Sequence, residues 1–349
     1  MYEMMRLLKE LHAARRPGAS RPRIALVSDA LTQSSLEAEC DVITVTPRNH
    51  KFALKYGRPD LLLVESAWQG HANKWKFRIA AYPDHPRRSN VTLAELVTRA
   101  RDAGIPTVFW NKEDGVHFDR FIDSARLFDH VFTVDENCVA RYRAVLAPEA
   151  TVDTLLFAVQ PDTHSFTGFD FKYMRSNFVG SYSHHIHDRR RCWQDMFFGV
   201  ATQTGLGVTA VDRNSGRKAA HYRYPQLPNF EVLPAVIHAQ TAQIYKDYLV
   251  SLNVNTIEDS ATMFSRRLVE ILACGGIAVT NPSPAVTRYF QDYCHVLHTA
   301  DEAHELFDRL RHGPDAQDLE RARAGAEYVL REHTWAHRLD EIMAVIGRR

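Results

Sequence analysis

The stretch Met263 to Pro284, MFSRRLVEILACGGIAVTNPSP, runs from a loop through a helix into a glycine-marked strand. Ser265 stands where an N-cap belongs, Arg266 and Arg267 fill the first turn, and Glu270 follows about one turn later. Gly275 and Gly276 close the helix where a left-handed residue is wanted, and they let the next strand, IAVTN, approach closely. Two cations at a helix N-terminus oppose the macrodipole, so the arrangement is unfavourable unless an anion lies between them and the exposed N–H groups. A diphosphate would resolve the conflict; surface pairing of the arginines with carboxylates, including an (i, i+4) bridge to Glu270, is the plain alternative.

Outward from this segment the same alternation of short β-branched runs and amphipathic stretches fills the chain, which is the mark of parallel sheets flanked by helices. The first half offers strands within 24–29, 41–47, 60–66, 106–110, 130–135 and 151–157, with helices at 93–103 and 118–128. The second offers strands within 177–181, 207–212, 229–234, 248–254, 277–281 and 295–298. Helices there fit 188–204, 239–246, 265–273, 283–292 and 300–311, and the tail from 317 reads as one or two more. Between the halves, 158–176 mixes Pro161, Gly168 and aromatics without a period, which suits a connection. The expected fold class is α/β, two doubly wound Rossmann-like domains facing a central cleft: an N-terminal domain at 1–165, a C-terminal domain at 166–335, and a closing helix at 336–349 that packs back on the first.

At 349 residues the chain has material for two buried cores. Lys plus Arg number 43 against 42 for Asp plus Glu, so no global basic excess favours nucleic acid as a partner. The five cysteines include no CxxC pair, which suits reduced thiols and a cytoplasmic protein. Charges at Glu3, Arg6, Lys9 and Glu10 break any apolar leader, and no run is long enough to span a bilayer. A stripe of Met4, Leu7, Leu8 and Leu11 offers either packing on its own domain or peripheral contact with the inner membrane face. Neither GxGxxG nor GxxxxGK[ST] occurs, which removes the main support for a dehydrogenase or a P-loop enzyme.

Two further segments carry candidate chemistry. In WNKEDGVHFD, residues 110–119, Glu113, Asp114 and His117 follow a strand's carboxyl end and are of the types that deprotonate a hydroxyl; Asp114 as a helix N-cap is the alternative. His117 is the better base by its ordinary pKa. Glu65, ending its own strand, is another candidate, and Trp68 and Trp75 can either stack on sugar faces or pack in the core. In VGSYSHHIHDRRR, residues 179–191, Gly180 and Ser181 let backbone N–H groups approach a phosphate, Tyr182 or His184 can touch a ligand, and Arg189 or Arg190 can add charge. Lys246 can meet a phosphate or lie on a solvated face. Asp212 can approach a base or cap its turn. Adjacent histidines share a metal poorly and no DxD pair accompanies them, so no metal is expected.

The SRR, E and ACGG elements within 264–281 resemble the donor-binding helix of GT-B glycosyltransferases, particularly the CgeB-like, spore-maturation group. FWNKEDG, residues 109–115, is similar to the FWNKEDP segment of that group, with Gly115 in place of the proline. In related retaining families a Glu-x7-Glu pattern ends in a comparable helix. Glu270 falls on its second glutamate, which there holds the nucleotide ribose, whereas the first falls on Thr262, with Glu258 or Asp259 as substitutes. The resemblance implies a hexosyltransferase-like enzyme of polysaccharide biosynthesis that takes a nucleoside-diphosphate sugar, UDP-sugar favoured, to a hydroxyl of a glycan, cell-surface polymer or lipid-linked acceptor. Donor contacts would be Gly180, Ser181, Tyr182, Lys246, Arg266, Arg267 and Glu270, without metal or cofactor. The acceptor would meet His117, Glu113, Asp114 and Glu65. A nucleotide-sugar 2-epimerase and a non-catalytic nucleotide-sugar or glycan-binding partner are the competing readings.

Overall fold

The computed structural model describes residues 21–347. The chain divides into two compact units, 1–156 with 335–349, and 157–334. Sequence suggested divisions at 165/166 and 335/336; the units divide at 156/157 and 334/335.

In the first unit β1 (Arg23–Val27), α1 (Ala30–Glu39), β2 (Asp41–Thr44), α2 (His50–Gly57), β3 (Leu61–Glu65), α3 (Val91–Asp102), β4 (Thr107–Asn111), α4 (Phe118–Ala125), β5 (His130–Thr133), α5 (Val139–Arg143) and β6 (Thr151–Thr154) alternate along the chain. The sheet order is β2-β1-β3-β4-β5-β6, every pairing parallel. Central strands are buried throughout, as helices on both faces require, and this is why LLLVE and TVFWN read as unbroken runs rather than alternating ones. The edge strand β6 has no fully buried residue.

The second unit follows with β7 (Tyr173–Gly180), α6 (Asp188–Gln203), β8 (Val208–Asp212), β9 (Phe230–Pro234), α7 (His238–Asp247), β10 (Tyr248–Leu252), α8 (Arg266–Ala273), β11 (Ile277–Thr280), α9 (Pro284–Tyr289), β12 (His295–Val296), α10 (Ala300–Leu310) and α11 (Ala316–Glu332). Its sheet order is β12-β11-β10-β7-β8-β9, again parallel throughout. The chain enters at the middle, builds one side through β9, and crosses back to build the other from β10. The strand order therefore reverses between β7 and β10, and in open α/β sheets ligands sit outside the carboxyl ends of strands at such a point.

A last helix, α12 (Trp335–Ile346), returns to the first unit. Trp335 meets Trp110 edge to face at 5.4 Å, and Arg338 Nε donates to the Leu156 carbonyl at 3.1 Å. Among the described residues no helix is long and apolar enough to cross a membrane. The Met4–Leu11 stripe lies outside the described residues. All five cysteines are free; Cys192 is exposed and the other four are buried.

Candidate functional site

At the switch point of the second unit the sequence places two guanidinium groups inside the protein. A Cβ on Gly180, the last residue of β7, would lie 2.8 Å from Arg267 Nη2 and 2.7 Å from the Phe178 ring, so only glycine admits this approach. The Arg267 guanidinium rests 4.5 Å over the Phe178 ring, Nε donates to the Val179 carbonyl at 2.5 Å, and Nη1 donates to Asn253 Oδ1 at 3.3 Å. It thus bridges the ends of β7 and β10. Arg190, from the first turn of α6, donates Nη2 to the Ser181 carbonyl at 3.0 Å, while its Nε is buried without a partner.

Neither Arg190 nor Arg267 forms an ion pair. Burial, reinforced by the neighbouring charges of Arg267 and Arg213, pulls Arg190 down to about 10, and burial lowers Arg267 too. The Tyr224 hydroxyl lies in the same field, buried and unpartnered. Two desolvated cations with no carboxylate between them are costly, and a bound anion is the natural compensation.

Beside them, Glu270 is buried on α8. Its Oε1 accepts from His238 Nε2 at 2.8 Å and from Arg266 Nε at 2.9 Å, so the (i, i+4) bridge considered from sequence does form. Burial alone would raise this carboxyl, but the Arg266 charge and the His238 hydrogen bond outweigh it and hold Glu270 at about 2. Oε2 makes no hydrogen bond to protein. His164 lies alongside, its ring 4.9 Å from that of His238. The Thr241 hydroxyl donates to the His238 carbonyl at 2.7 Å, so His164 Nε2 donates to Thr241 Oγ1 at 2.9 Å, leaving Nδ1 a buried, unpartnered acceptor. Burial lowers His164 to about 4. Candidate ligand atoms of His164, His238 and Glu270 lie within 4.8 Å of one another, a grouping the sequence did not suggest. His238 and Arg266 already share one oxygen of that carboxylate.

Ser265 is the N-cap of α8 but its side chain makes no cap bond, and the first turn contains no acid. The Ser181 carbonyl accepts from Arg190 and Gln194. Tyr182 turns into the core and donates its hydroxyl to Asp195 at 2.6 Å. Lys246 is half-buried near the end of α7, and its charge reaches His164 and Cys274. Of the alternatives left open at 189–190, Arg189 points out to pair with Glu258 at 2.8 Å and Arg190 points in. Asp212 Oδ1 accepts from Asn214 N at 2.8 Å, which is the turn-capping arrangement.

In the first unit, Glu65, Asp29 and Lys112 meet at the corresponding switch between β1 and β3. Glu65 accepts from Asp29 N at 2.5 Å, Thr32 Oγ1 at 2.5 Å and Lys112 Nζ at 2.9 Å. Lys112 reaches Asp29 Oδ2 at 3.2 Å as well, and these two carboxylates raise its pKa against the effect of burial. Asp114 is fully buried, accepting from Asn111 Nδ2 at 2.7 Å, Thr133 Oγ1 at 2.6 Å and Tyr142 OH at 2.8 Å. It does not cap α4, whose N-cap is His117. Burial drives the Asp114 carboxyl up to about 7. His117 and Glu113 are partly exposed; burial lowers His117, against the pull of Glu113. Trp68 stands 5.1 Å edge-on to the His117 ring. Trp75 is a core residue, its Nε1 donating to the Val45 carbonyl at 2.8 Å.

Two all-parallel, helix-flanked sheets of six strands match the fold of GT-B glycosyltransferase structures. Residues 196–344 match the family model Glyco_trans_1_2, described as glycosyl transferase-like. An α-glucosyltransferase solved with UDP and a 13-mer DNA containing an HMU base has a TM-score of 0.63 at 11% identity, over 94% of this chain and 100% of that one. WaaG, a glycosyltransferase involved in lipopolysaccharide biosynthesis, has a TM-score of 0.51 at 10% identity, over 93% and 99%. TarM has a TM-score of 0.52 at 8% identity over 85% of this chain, which spans only 57% of TarM. At these identities the likeness is one of fold. No curated protein matches the chain in sequence.

Proposed function

We propose that the chain transfers a hexosyl group from a UDP-sugar to a hydroxyl of a glycan or other polymer, with the donor bound in the second unit. The observation that carries this reading is the pair of buried guanidiniums, Arg190 and Arg267, without an ion-pair partner at the β7/β10 switch beside Gly180. A diphosphate there neutralises both, and fixed cations that meet the charge developing on a departing diphosphate act where charge accumulates in the transition state. On this reading the leaving group's charge falls to arginines rather than a metal. Glu270, held ionised by Arg266 and His238, offers Oε2 to the ribose hydroxyls. UDP in the α-glucosyltransferase complex and uridine diphosphoglucose with a β-glucosyltransferase support the choice of nucleotide. In the first unit the partly exposed His117 and Glu113 are the candidates for the acceptor's proton, while Glu65 and Asp114 shape the site from within. The SRR…ACGG and FWNKEDG segments keep the CgeB-like group as the proposed subgroup.

Calorimetric titration with UDP, GDP, ADP, TDP and CMP in the presence of EDTA tests the donor site. UDP should bind the wild type, and Arg267→Ala should weaken it by about 30-fold or more, in line with the 2 to 5 kcal/mol attached to a buried charged contact. Equal affinity of wild type and variant, or no nucleotide bound at all, removes the basis of the proposal. Release of UDP from UDP-sugar only when acceptor is added separates transfer from epimerisation.

A further inference from the structure

The chain as a whole is close to neutral, yet the segment 71–90, HANKWKFRIAAYPDHPRRSN, carries Lys74, Lys76, Arg78, Arg87 and Arg88 against the single acid Asp84. Two of these cations, Lys76 and Arg88, meet at one aromatic pair. Phe77 and Tyr82 meet edge to face at 5.2 Å; Arg88 lies 4.0 Å over the Phe77 ring and 5.3 Å from that of Tyr82, and Lys76 lies 4.9 Å from Phe77. Arg120 is clamped to the same segment, receiving a hydrogen bond from Ala81 N at 2.6 Å and donating to the Ala81 carbonyl at 3.1 Å. Lys76, Arg88 and Arg120 form no ion pair, and Lys76 and Arg120 are exposed. Ala72, Asn73 and Phe77 adopt left-handed backbone at φ 52, 61 and 64, a strain that persists where the surroundings enforce it and that gathers at ligand clamps. The patch adjoins the acceptor candidates, since Arg120 N donates to the His117 carbonyl at 3.0 Å.

We infer that this patch binds the acceptor, and that the acceptor is a polyol-phosphate or sugar-phosphate chain whose repeated phosphodiesters lie along Lys76, Arg88 and Arg120 while one of its hydroxyls is glycosylated. The inference names the acceptor of the transfer proposed above and rests on it. A chain without bases fits better than a nucleic acid: stacking recognition needs an open aromatic face, and here Arg88 covers Phe77. A lipid surface fits less well, because no large hydrophobic side chain between 71 and 90 is exposed.

The test is fluorescence anisotropy of end-labelled poly(glycerol phosphate) at several salt concentrations, with wild type, Lys76→Ala and Lys76→Ala/Arg88→Ala, beside an oligothymidylate of equal charge and vesicles of anionic phospholipid. The wild type should bind poly(glycerol phosphate) more tightly than either comparison probe. The double variant should lose about 10-fold or more in affinity at low salt, and its salt slope should fall by about 1.4, at ~0.7 for each phosphate contact removed from a flexible strand. Lys76→Ala, an exposed side chain, should show about half that change in slope with an unaltered melting temperature. UDP titration on the same samples reports the donor site. UDP binding without poly(glycerol phosphate) binding, unchanged slopes in the variants, or tighter binding of oligothymidylate or vesicles overturns the inference alone. Polymer binding without UDP binding overturns the donor reading and leaves the patch standing as a binding surface.

Discussion

At the scale of single residues, the most exposed consequence of burial is at Asp114. Its carboxyl is raised to about 7, so between its ordinary value near 4 and about 7 the native protein holds a proton that the unfolded chain has lost. Stability from this group is therefore complete only below about 4 and is lost progressively as pH rises from there through about 7, by on the order of 4 kcal/mol for a fully buried carboxyl. Glu270 works in the opposite sense: held at about 2, it contributes stability above its ordinary range that is lost only as pH falls toward 2. Asp114→Asn removes the titrating proton and keeps the shape. Thermal melts from pH 4.5 to 8.5 should show the first unit of the wild type losing stability with rising pH and the variant nearly level; parallel curves would mean that Asp114 does not titrate there. The residues proposed for the donor site were legible singly, because an SRR run before an apolar helix and a glycine after a strand are local signals. Their mutual arrangement was not. Arg190 and Arg267 are brought together by the crossover from β9 to β10, and Glu65, Asp29 and Lys112 by contacts spanning 36 to 83 positions, which no local pattern encodes.

At the scale of elements, α8 and its turn into β11 carry the donor proposal, and Gly275 fixes that turn. Its φ is +73, and a Cβ would stand 2.3 Å from the Phe166 ring. Gly275→Ala combines left-handed strain of about 1 to 2 kcal/mol with a clash against an aromatic side chain, so a loss of at least about 2 kcal/mol is expected. Chemical denaturation should reveal it as a lower midpoint with an unchanged slope; a shift under about 0.5 kcal/mol would show that Phe166 simply moves aside. The twelve strands among the described residues were readable, the buried central ones as compact apolar runs closed by polar or glycine residues. Helix α1 was not, for a physical reason: its buried face is Thr32, Gln33, Ser35 and Leu36, satisfied by bonds such as Gln33 Nε2 to Thr44 Oγ1 at 3.1 Å and Thr32 Oγ1 to Glu65 at 2.5 Å. A helix that docks through hydrogen bonds has no apolar stripe to betray it. The charge of the basic segment 71–90 is hidden within a net total near zero.

At the scale of the whole molecule, the first unit is discontinuous: it owns the chain through Leu156 and again from Trp335. Its integrity therefore depends on residues separated along the chain by the whole of the second unit. Trp335 is nearly buried against Trp110, whose Nε1 donates to the Leu155 carbonyl at 3.1 Å, and Arg338 holds the neighbouring Leu156 carbonyl. Trp335→Ala leaves a cavity of the kind that costs about 3 to 5 kcal/mol, and that cost should fall on the first unit. The second unit keeps its own core, including the parallel bridge of Val159 to Thr334 and the bond from Val159 N to the His333 carbonyl at 2.9 Å. Hydrogen exchange read by mass spectrometry should accordingly show β4, β5, β6 and α12 losing protection in the variant while β7, β10 and β11 keep theirs. UDP should still protect α8. Equal loss of protection in both units would mean that they unfold as one cooperative body, and the donor site would then depend on a helix that belongs to the other unit.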